Sequence, residues 1–91
     1  MTNIICKRVL FHGQVQGVGF RYKTLRLSES FQVSGYVKNL PSGAVEVVAQ
    51  GQEKEVLPFL AEIHKQMGLF IKKVEEFSLP SGKFEEFRIE K

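Results

Sequence analysis

The sequence GQVQGVGFR, residues 13–21, lies between an alternating apolar run and a helix-like run, and the fold can be worked out from it. Gly13, Gly17 and Gly19 allow backbone turns that are closed to other residues, and they let N–H groups approach a ligand without side chains between them. Arg21 adds a permanent positive charge whose forked donors match the oxygens of a phosphate. If a helix begins at Arg21, the unpaired N–H groups of its first turn contribute to the same site. The stretch therefore predicts an anion-binding loop between a strand and a helix.

The loop matches neither of two common nucleotide-binding motifs. No Gly-Lys-Ser/Thr follows it, as a Walker A motif requires, and no third glycine follows at the spacing of a dinucleotide fingerprint. Taken alone, it is equally compatible with a tight strand-to-helix connection whose arginine is a solvated surface charge. A second segment is needed to choose between these interpretations.

That second segment is SGYVKNLPSG, residues 34–43, which is typical of a strand running into a Pro-Ser-Gly turn, with residues 44–50 as the returning strand of a hairpin. Asn39 lies at the carboxyl end of the first of these strands. A single helix between the chain's first strand and this one would make the two strands parallel, so that their carboxyl ends share an edge. We therefore expect Arg21 and Asn39 to face one crevice. Without the loop, Asn39 is more simply an ordinary turn-forming amide.

Together, residues 13–21 and the Gly-Tyr-Val-Lys-Asn segment at residues 35–39 resemble the paired signature of the acylphosphatase family. The resemblance covers nearly the whole chain and includes its length and a closing Phe-Arg-Ile strand at residues 87–89. It implies an enzyme that hydrolyses acyl phosphates to carboxylate and orthophosphate without a metal or cofactor. It also implies that Arg21 holds the phosphate and Asn39 positions the attacking water. The backbone N–H groups expected to bind phosphate beside the arginine are those of Val15, Gln16, Gly17, Val18, Gly19 and Phe20.

Three segments depart from the family's pattern. Gln14 stands where a basic residue is common, so the rim of the loop has one positive charge less and substrate affinity is expected to be lower. Residues 30–33 replace a usual leucine and glycine run, and residues 67–70 replace a Gly-Pro-rich turn. The last two changes bear on packing and on one connection, and they do not touch the predicted site.

The apolar periodicity predicts an α+β fold. Strands are expected near 4–12, 34–40, 44–51, 71–79 and 84–90, and helices near 21–31 and 53–67. The second helix is the clearest, because its apolar residues recur at helical spacing. Pro58, near its start, predicts a later beginning or a kink. This order is that of a ferredoxin-like βαββαβ plait, with two helices on one face of a mainly antiparallel sheet and a short extra C-terminal strand.

Composition points to one small globular domain, residues 1–91. The chain is 43% apolar and 25% charged, and a domain of this size buries about 60% of its unfolded surface. The first eight residues lack the pattern of a secretory signal, and no segment is long and apolar enough to span a bilayer. Cys6 is the single cysteine, which excludes an internal disulfide and fits a reducing compartment. We expect a cytoplasmic monomer that binds no membrane.

The formal charge of +3 is modest, and the basic residues are scattered among acidic ones. Nucleic-acid binding is therefore not expected, although a mild positive field favours encounter with a small anionic substrate. His12 and His64 stand far apart without partners at ligand spacing, so no metal site is predicted. His12 precedes the loop and could tune it, but a strand-end histidine without a catalytic role is the simpler interpretation.

No nucleophile-and-base pair is visible, and acyl phosphate hydrolysis does not demand one. The leaving carboxylate belongs to an acid with a pKa of about 4, so it departs without protonation. Inorganic phosphate is then the expected product and competitor. Two other functions stay open from the sequence: an RNA-recognition module on the same plait, which lacks here an aromatic on residues 44–51, and a non-catalytic domain similar to the amino-terminal part of hydrogenase-maturation carbamoyltransferases.

Overall fold

Five strands and two helices make up residues 3–91, the part of the chain that a computed structural model of the protein describes. Both helices pack on one face of a single sheet, and this α+β plait confirms the predicted ferredoxin-like fold. The elements in chain order are β1 (Ile4–Gly13), α1 (Phe20–Ser28), β2 (Val33–Asn39), β3 (Val45–Gln52), α2 (Glu53–Met67), a 3₁₀ turn (Gly68–Phe70), β4 (Ile71–Leu79) and β5 (Phe87–Glu90).

The strand order β4-β1-β3-β2-β5 brings two strand ends together. β1 and β2 are both antiparallel to β3, so they run parallel to each other with β3 between them. Their carboxyl ends therefore lie on the same edge of the sheet, as the crossover through α1 predicts. The loop after β1 and the last residue of β2, Asn39, emerge side by side at this edge.

Helix α2 buries the apolar stripe that its sequence predicts. Val56, Phe59, Ile63 and Met67 are buried against the sheet, whereas Pro58 faces solvent in the second turn. The helix begins at Glu53, so the later beginning expected from Pro58 is wrong. It continues through the proline, and the carbonyl that loses its N–H partner belongs to Lys54, an exposed residue. Neither α2 nor any other helix within residues 3–91 has the length and apolarity to cross a membrane.

Two boundaries differ from the predicted ones. α1 ends at Ser28 rather than near residue 31, because tight turn hydrogen bonds follow it: Phe31 N donates to Ser28 O at 3.1 Å. Phe31 lies beyond the helix, but its ring still packs on Phe59 of the core, with ring centroids 5.7 Å apart. β5 begins at Phe87 rather than near residue 84, because Phe84 lies outside the strand and packs on Tyr36.

Candidate active site

The loop between β1 and α1 is held at both ends by the core. Val15 and Phe20 are buried, and the Phe20 ring packs on Phe11 of β1 with centroids 5.2 Å apart. Gln14 N also donates to Phe70 O at 3.0 Å, which ties the start of the loop to the 3₁₀ turn. The segment between these anchors is therefore presented on a rigid base.

The three glycines of the loop have two different roles. Gly17 and Gly19 have φ values of 79° and 82°, and a Cβ atom at either position would meet nothing within 4 Å. Their requirement is purely conformational, since the left-handed region is costly for other residues. Gly13 differs, because a Cβ there would collide with the backbone of Phe70. Gly13 also has a positive φ, of 135°, so all three positions use a backbone conformation that favours glycine, and at Gly13 the missing Cβ additionally permits a close approach of the chain at the end of β1.

The N–H groups of the loop are free to bind a ligand. Gly19 is the N-cap of α1, and no side chain caps that helix end. From Val15 to Tyr22, no backbone N–H donates a hydrogen bond to another residue of the described chain. Consecutive unpaired N–H groups at a helix amino terminus favour negative charge through both hydrogen bonding and the helix dipole.

Arg21 and Asn39 line one cavity of about 360 Å³. Within residues 3–91, Arg21 forms no ion pair, so its charge is not neutralised by a neighbouring carboxylate. No acidic side chain is among the residues that line the cavity. The predicted site residues found on its wall are Val15, Gly17, Gly19, Phe20, Arg21 and Asn39.

Asn39 has an unusual environment for a side-chain amide. Its Oδ1 atom is buried and accepts no hydrogen bond from any residue that the structure describes. An unpaired buried acceptor costs about 1–3 kcal/mol, and native proteins keep few of them, often where function requires the atom. Asn39 thus brings an acceptor without a partner among the described residues to the cavity that Arg21 also lines.

Two of the predicted loop residues direct their side chains away from the cavity. The Gln16 side chain reaches the β2–β3 hairpin, where Nε2 donates to Leu40 O at 2.8 Å and to Ala44 O at 2.9 Å. The Val18 side chain is exposed on the other side of Tyr22. Their side chains are therefore not part of the cavity wall.

Three further residues line the cavity and were missed from the sequence: Tyr22, Ile89 and Lys91. Tyr22 follows Arg21 and could have been proposed from its position in the first turn of α1. Ile89 and Lys91 come from the other end of the chain. They reach the site because β5 pairs in parallel with β2 and sets Ile89 opposite Val37. Lys91 belongs to the lining through its position just after β5.

His12, His64 and Cys6 do not line this cavity, and His64 lies on a different pocket. His12 Nε2 lies 2.7 Å from Glu75 Oε1 on β4, so it faces a different part of the sheet. Cys6 is buried, and this burial raises the pKa of its thiol, as expected for a structural cysteine. No group of three His, Cys, Asp or Glu side chains suited to a metal occurs between residues 3 and 91.

The fold and this cavity define a class of protein: a small α+β plait in which a glycine loop, a helix amino terminus and an arginine meet at one cavity. Comparison with known proteins narrows the class. The sequence model of the acylphosphatase family matches residues 7–89. The chain belongs to the acylphosphatase family, and it is an enzyme that hydrolyses acyl phosphates.

Relatives and solved structures agree with this assignment. An acylphosphatase of Petrotoga mobilis is 41% identical over 88 residues, which cover 96% of this chain and 99% of the relative. The crystal structure of acylphosphatase from Bacillus subtilis superposes with a TM-score of 0.85 at 26% identity, covering 96% and 99% of the two chains. Full-length HypF, in its phosphate- and nucleotide-bound form, matches with a TM-score of 0.91 at 26% identity over 100% of this chain and 12% of its own.

Proposed function

We propose that Arg21 and the loop N–H groups from Val15 to Phe20 bind the phosphate of an acyl phosphate, and that Asn39 orients the water that attacks it. The observation that carries this proposal is that Asn39, whose Oδ1 accepts no hydrogen bond from any described residue, lines the same cavity as Arg21, which forms no ion pair within residues 3–91. An oxygen acceptor in that place can take a hydrogen bond from water and direct its lone pair toward phosphorus.

The chemistry asks for positioning and charge stabilisation. Water attacks phosphorus in line with the acyl oxygen, the bond between phosphorus and that oxygen breaks, and the carboxylate leaves with the bonding electrons. Because the conjugate acid of the carboxylate has a pKa of about 4, no acid is needed to protonate it. The proton of the attacking water passes to a phosphate oxygen. Arg21 and the loop N–H groups stabilise the charge on the equatorial oxygens during transfer.

The proposal also covers the oligomeric state, the location and the partners of the protein. A single domain working as a cytoplasmic monomer, without membrane or nucleic-acid partners and without a metal, is sufficient for this mechanism. Inorganic phosphate, as the product, is expected to compete with substrate. An RNA-binding role is not supported, because the face of β3 opposite the helices carries Glu46, Val48 and Gln50 and no aromatic residue.

Steady-state kinetics with benzoyl phosphate test the role of Arg21. We expect Arg21→Ala to lower kcat by at least about 100-fold and to raise KM, because a preorganised charge-stabilising donor is lost. The matched control is Arg26→Ala on the same helix, since Arg26 is exposed and its one ion pair within residues 3–91 is with Glu29. Near wild-type turnover in Arg21→Ala, or equal losses in both variants, would contradict the role.

The same assay separates the water-orienting residue from phosphate binding. Asn39→Ala should lower kcat while the inhibition constant for inorganic phosphate changes little, because the amide acts on water and not on phosphate. Unchanged kcat in Asn39→Ala would remove this residue from the mechanism. A chelator should leave the wild-type rate unchanged; a loss that added zinc or magnesium restores would contradict the metal-free mechanism.

A further inference from the structure

The Gln16 side chain links the anion-binding loop to the hairpin that carries Asn39. Its amide nitrogen donates both of its hydrogens, one to Leu40 O at 2.8 Å and one to Ala44 O at 2.9 Å. Among residues 3–91, no other hydrogen bond joins the loop to this hairpin. Gln16 therefore connects the loop proposed to bind phosphate to the hairpin that carries Asn39, the residue proposed to orient water.

The two carbonyls that Gln16 contacts close the neck of the hairpin turn. Leu40 N donates to Ala44 O at 2.9 Å, and Gly43 N donates to Leu40 O at 3.0 Å, so each carbonyl oxygen accepts one backbone bond and one bond from the glutamine. Asn39 directly precedes this neck and pairs with Val45 at the end of β2. No donor among the described residues holds Asn39 Oδ1, so the position of this amide depends on the backbone that carries it.

We propose that the Gln16 side chain has a positioning role: it holds Asn39 at the correct distance and angle from the phosphate loop, and the side chain itself touches neither phosphate nor water. This inference rests on the proposed role of Asn39. Transfer of a phosphoryl group to water is sensitive to alignment, and displacement of a catalytic group by about 1 Å can cost roughly 100-fold in rate. The glutamine is partly buried at the loop, so its bonds are shielded from competing water.

Gln16→Met tests the proposal because methionine keeps the length and volume of glutamine and removes both donors. We expect kcat for benzoyl phosphate to fall roughly 10- to 100-fold, while the inhibition constant for inorganic phosphate stays within about twofold of wild type, since the loop N–H groups and Arg21 are retained. An unchanged kcat, or a loss of phosphate affinity equal to the loss of kcat, would overturn the positioning role.

Gln50 offers a matched control elsewhere in the fold. Its amide also anchors a loop through two bonds, from Nε2 to Gly82 O at 3.0 Å and from Gly82 N to Oε1 at 2.7 Å. Gln50→Met removes a comparable loop anchor that does not contact the cavity. We expect the free energy of unfolding of Gln50→Met to fall by about as much as that of Gln16→Met, whereas its kcat should equal that of wild type. A fall in kcat equal to that of Gln16→Met would show a general effect of loop anchoring.

A double-mutant cycle identifies the route by which Gln16 acts. In an Asn39→Ala background, Gln16→Met should lower kcat by less than about twofold, because the group that it positions is already absent. Full additivity of the two losses would contradict action through Asn39. If Asn39→Ala alone keeps full activity, the proposed role of Asn39 fails, whereas a low Asn39→Ala rate with an unaffected Gln16→Met rate defeats only the present inference.

Gln16→Asn provides a second variant if the methionine variant does not fold. Asparagine keeps a polar amide but is one methylene shorter, so it cannot bridge both carbonyls from the same backbone position. Its kcat should lie between those of wild type and Gln16→Met, again with phosphate inhibition unchanged. Wild-type kcat in Gln16→Asn, measured on protein shown to be folded by circular dichroism, would contradict the requirement for the bridge.

Discussion

Gly19 meets two requirements at one position. It is the N-cap of α1 with φ of 82°, and it lies in the loop whose N–H groups have no protein partner among the described residues. Its missing Cβ leaves open space on the cavity side, so its conformation rather than its size decides the direction of the neighbouring N–H groups. The direction of the loop N–H groups thus depends on the φ angle of Gly19.

Gly19→Ala should therefore affect stability and ligand binding together. The left-handed conformation costs a residue with a Cβ about 1–2 kcal/mol, and partial relaxation of the loop should weaken competition by inorganic phosphate. Gly43→Ala is the control, since Gly43 has φ of 98°, also has open space around it, and lies in the hairpin turn. Both variants should lose stability in urea titrations, but only Gly19→Ala should raise the inhibition constant for phosphate. An unaltered constant in Gly19→Ala would contradict a role of the loop backbone in binding.

At the scale of elements, the face of the sheet opposite the helices carries a partly buried polar cluster. Arg8 Nε on β1 lies 2.6 Å from Glu46 Oε2 on β3, and the guanidinium carbon lies 5.5 Å from the centre of the Phe77 ring. Tyr36 on β2 lies beside Glu46. Burial, and then the neighbouring carboxylate, raises the pKa of Tyr36 to about 12. Side chains from four strands thereby cover a face that no helix covers.

This cluster predicts a fall in stability at alkaline pH. The folded state keeps the Tyr36 proton up to about pH 12, whereas an unfolded tyrosine loses it near pH 10, so this contribution is complete below pH 10 and is lost between about pH 10 and pH 12. Urea unfolding across this range should show a shallower decline for Tyr36→Phe than for wild type. Tyr22→Phe, at an exposed position on α1, should follow the wild-type curve. The same decline in all three proteins would contradict the assignment.

At the scale of the whole molecule, one hydrophobic core supports both the fold and the site. Phe59 of α2 is fully buried between Phe31 and Phe87, with ring centroids 5.7 and 5.2 Å away. The same cluster contains Val15 and Phe20, the two anchors of the anion-binding loop. The loop is therefore part of the packed interior, and its geometry depends on the cooperative stability of the domain.

Truncation of a side chain in this core should lower the stability of the whole domain. Phe59→Ala is expected to reduce the free energy of unfolding by about 3–5 kcal/mol, through lost burial and the cavity left behind. Leu57→Ala, on the exposed side of the same helix at 43% exposure, should change it by no more than about 0.5 kcal/mol. Thermal and urea unfolding of the two variants measure the difference. Similar losses would mean that Phe59 is not a central core residue.

Local sequence patterns predicted most of the elements. The bounds predicted for α2 match those observed because its apolar residues recur at helical spacing, and the bounds predicted for β4 match as well. The end of α1 was misplaced because Phe31 continues the apolar spacing after the backbone has left the helix. The start of β5 was misplaced because Phe84 packs on Tyr36 from outside the strand. Periodicity reports which side chains are buried, and it does not report whether the backbone beneath them is still regular.

By itself, the sequence determined the strand and helix order, the family, and the location of Arg21 and Asn39 at the same edge of the sheet. These follow from short-range patterns and from the parallel relation that a helical crossover imposes. Only the tertiary structure decided that Gly13 serves a close backbone contact, that Gln16 bridges to the hairpin, and that Ile89 and Lys91 line the cavity. Those contacts depend on strand pairing and side-chain direction between distant parts of the chain, which no local pattern encodes.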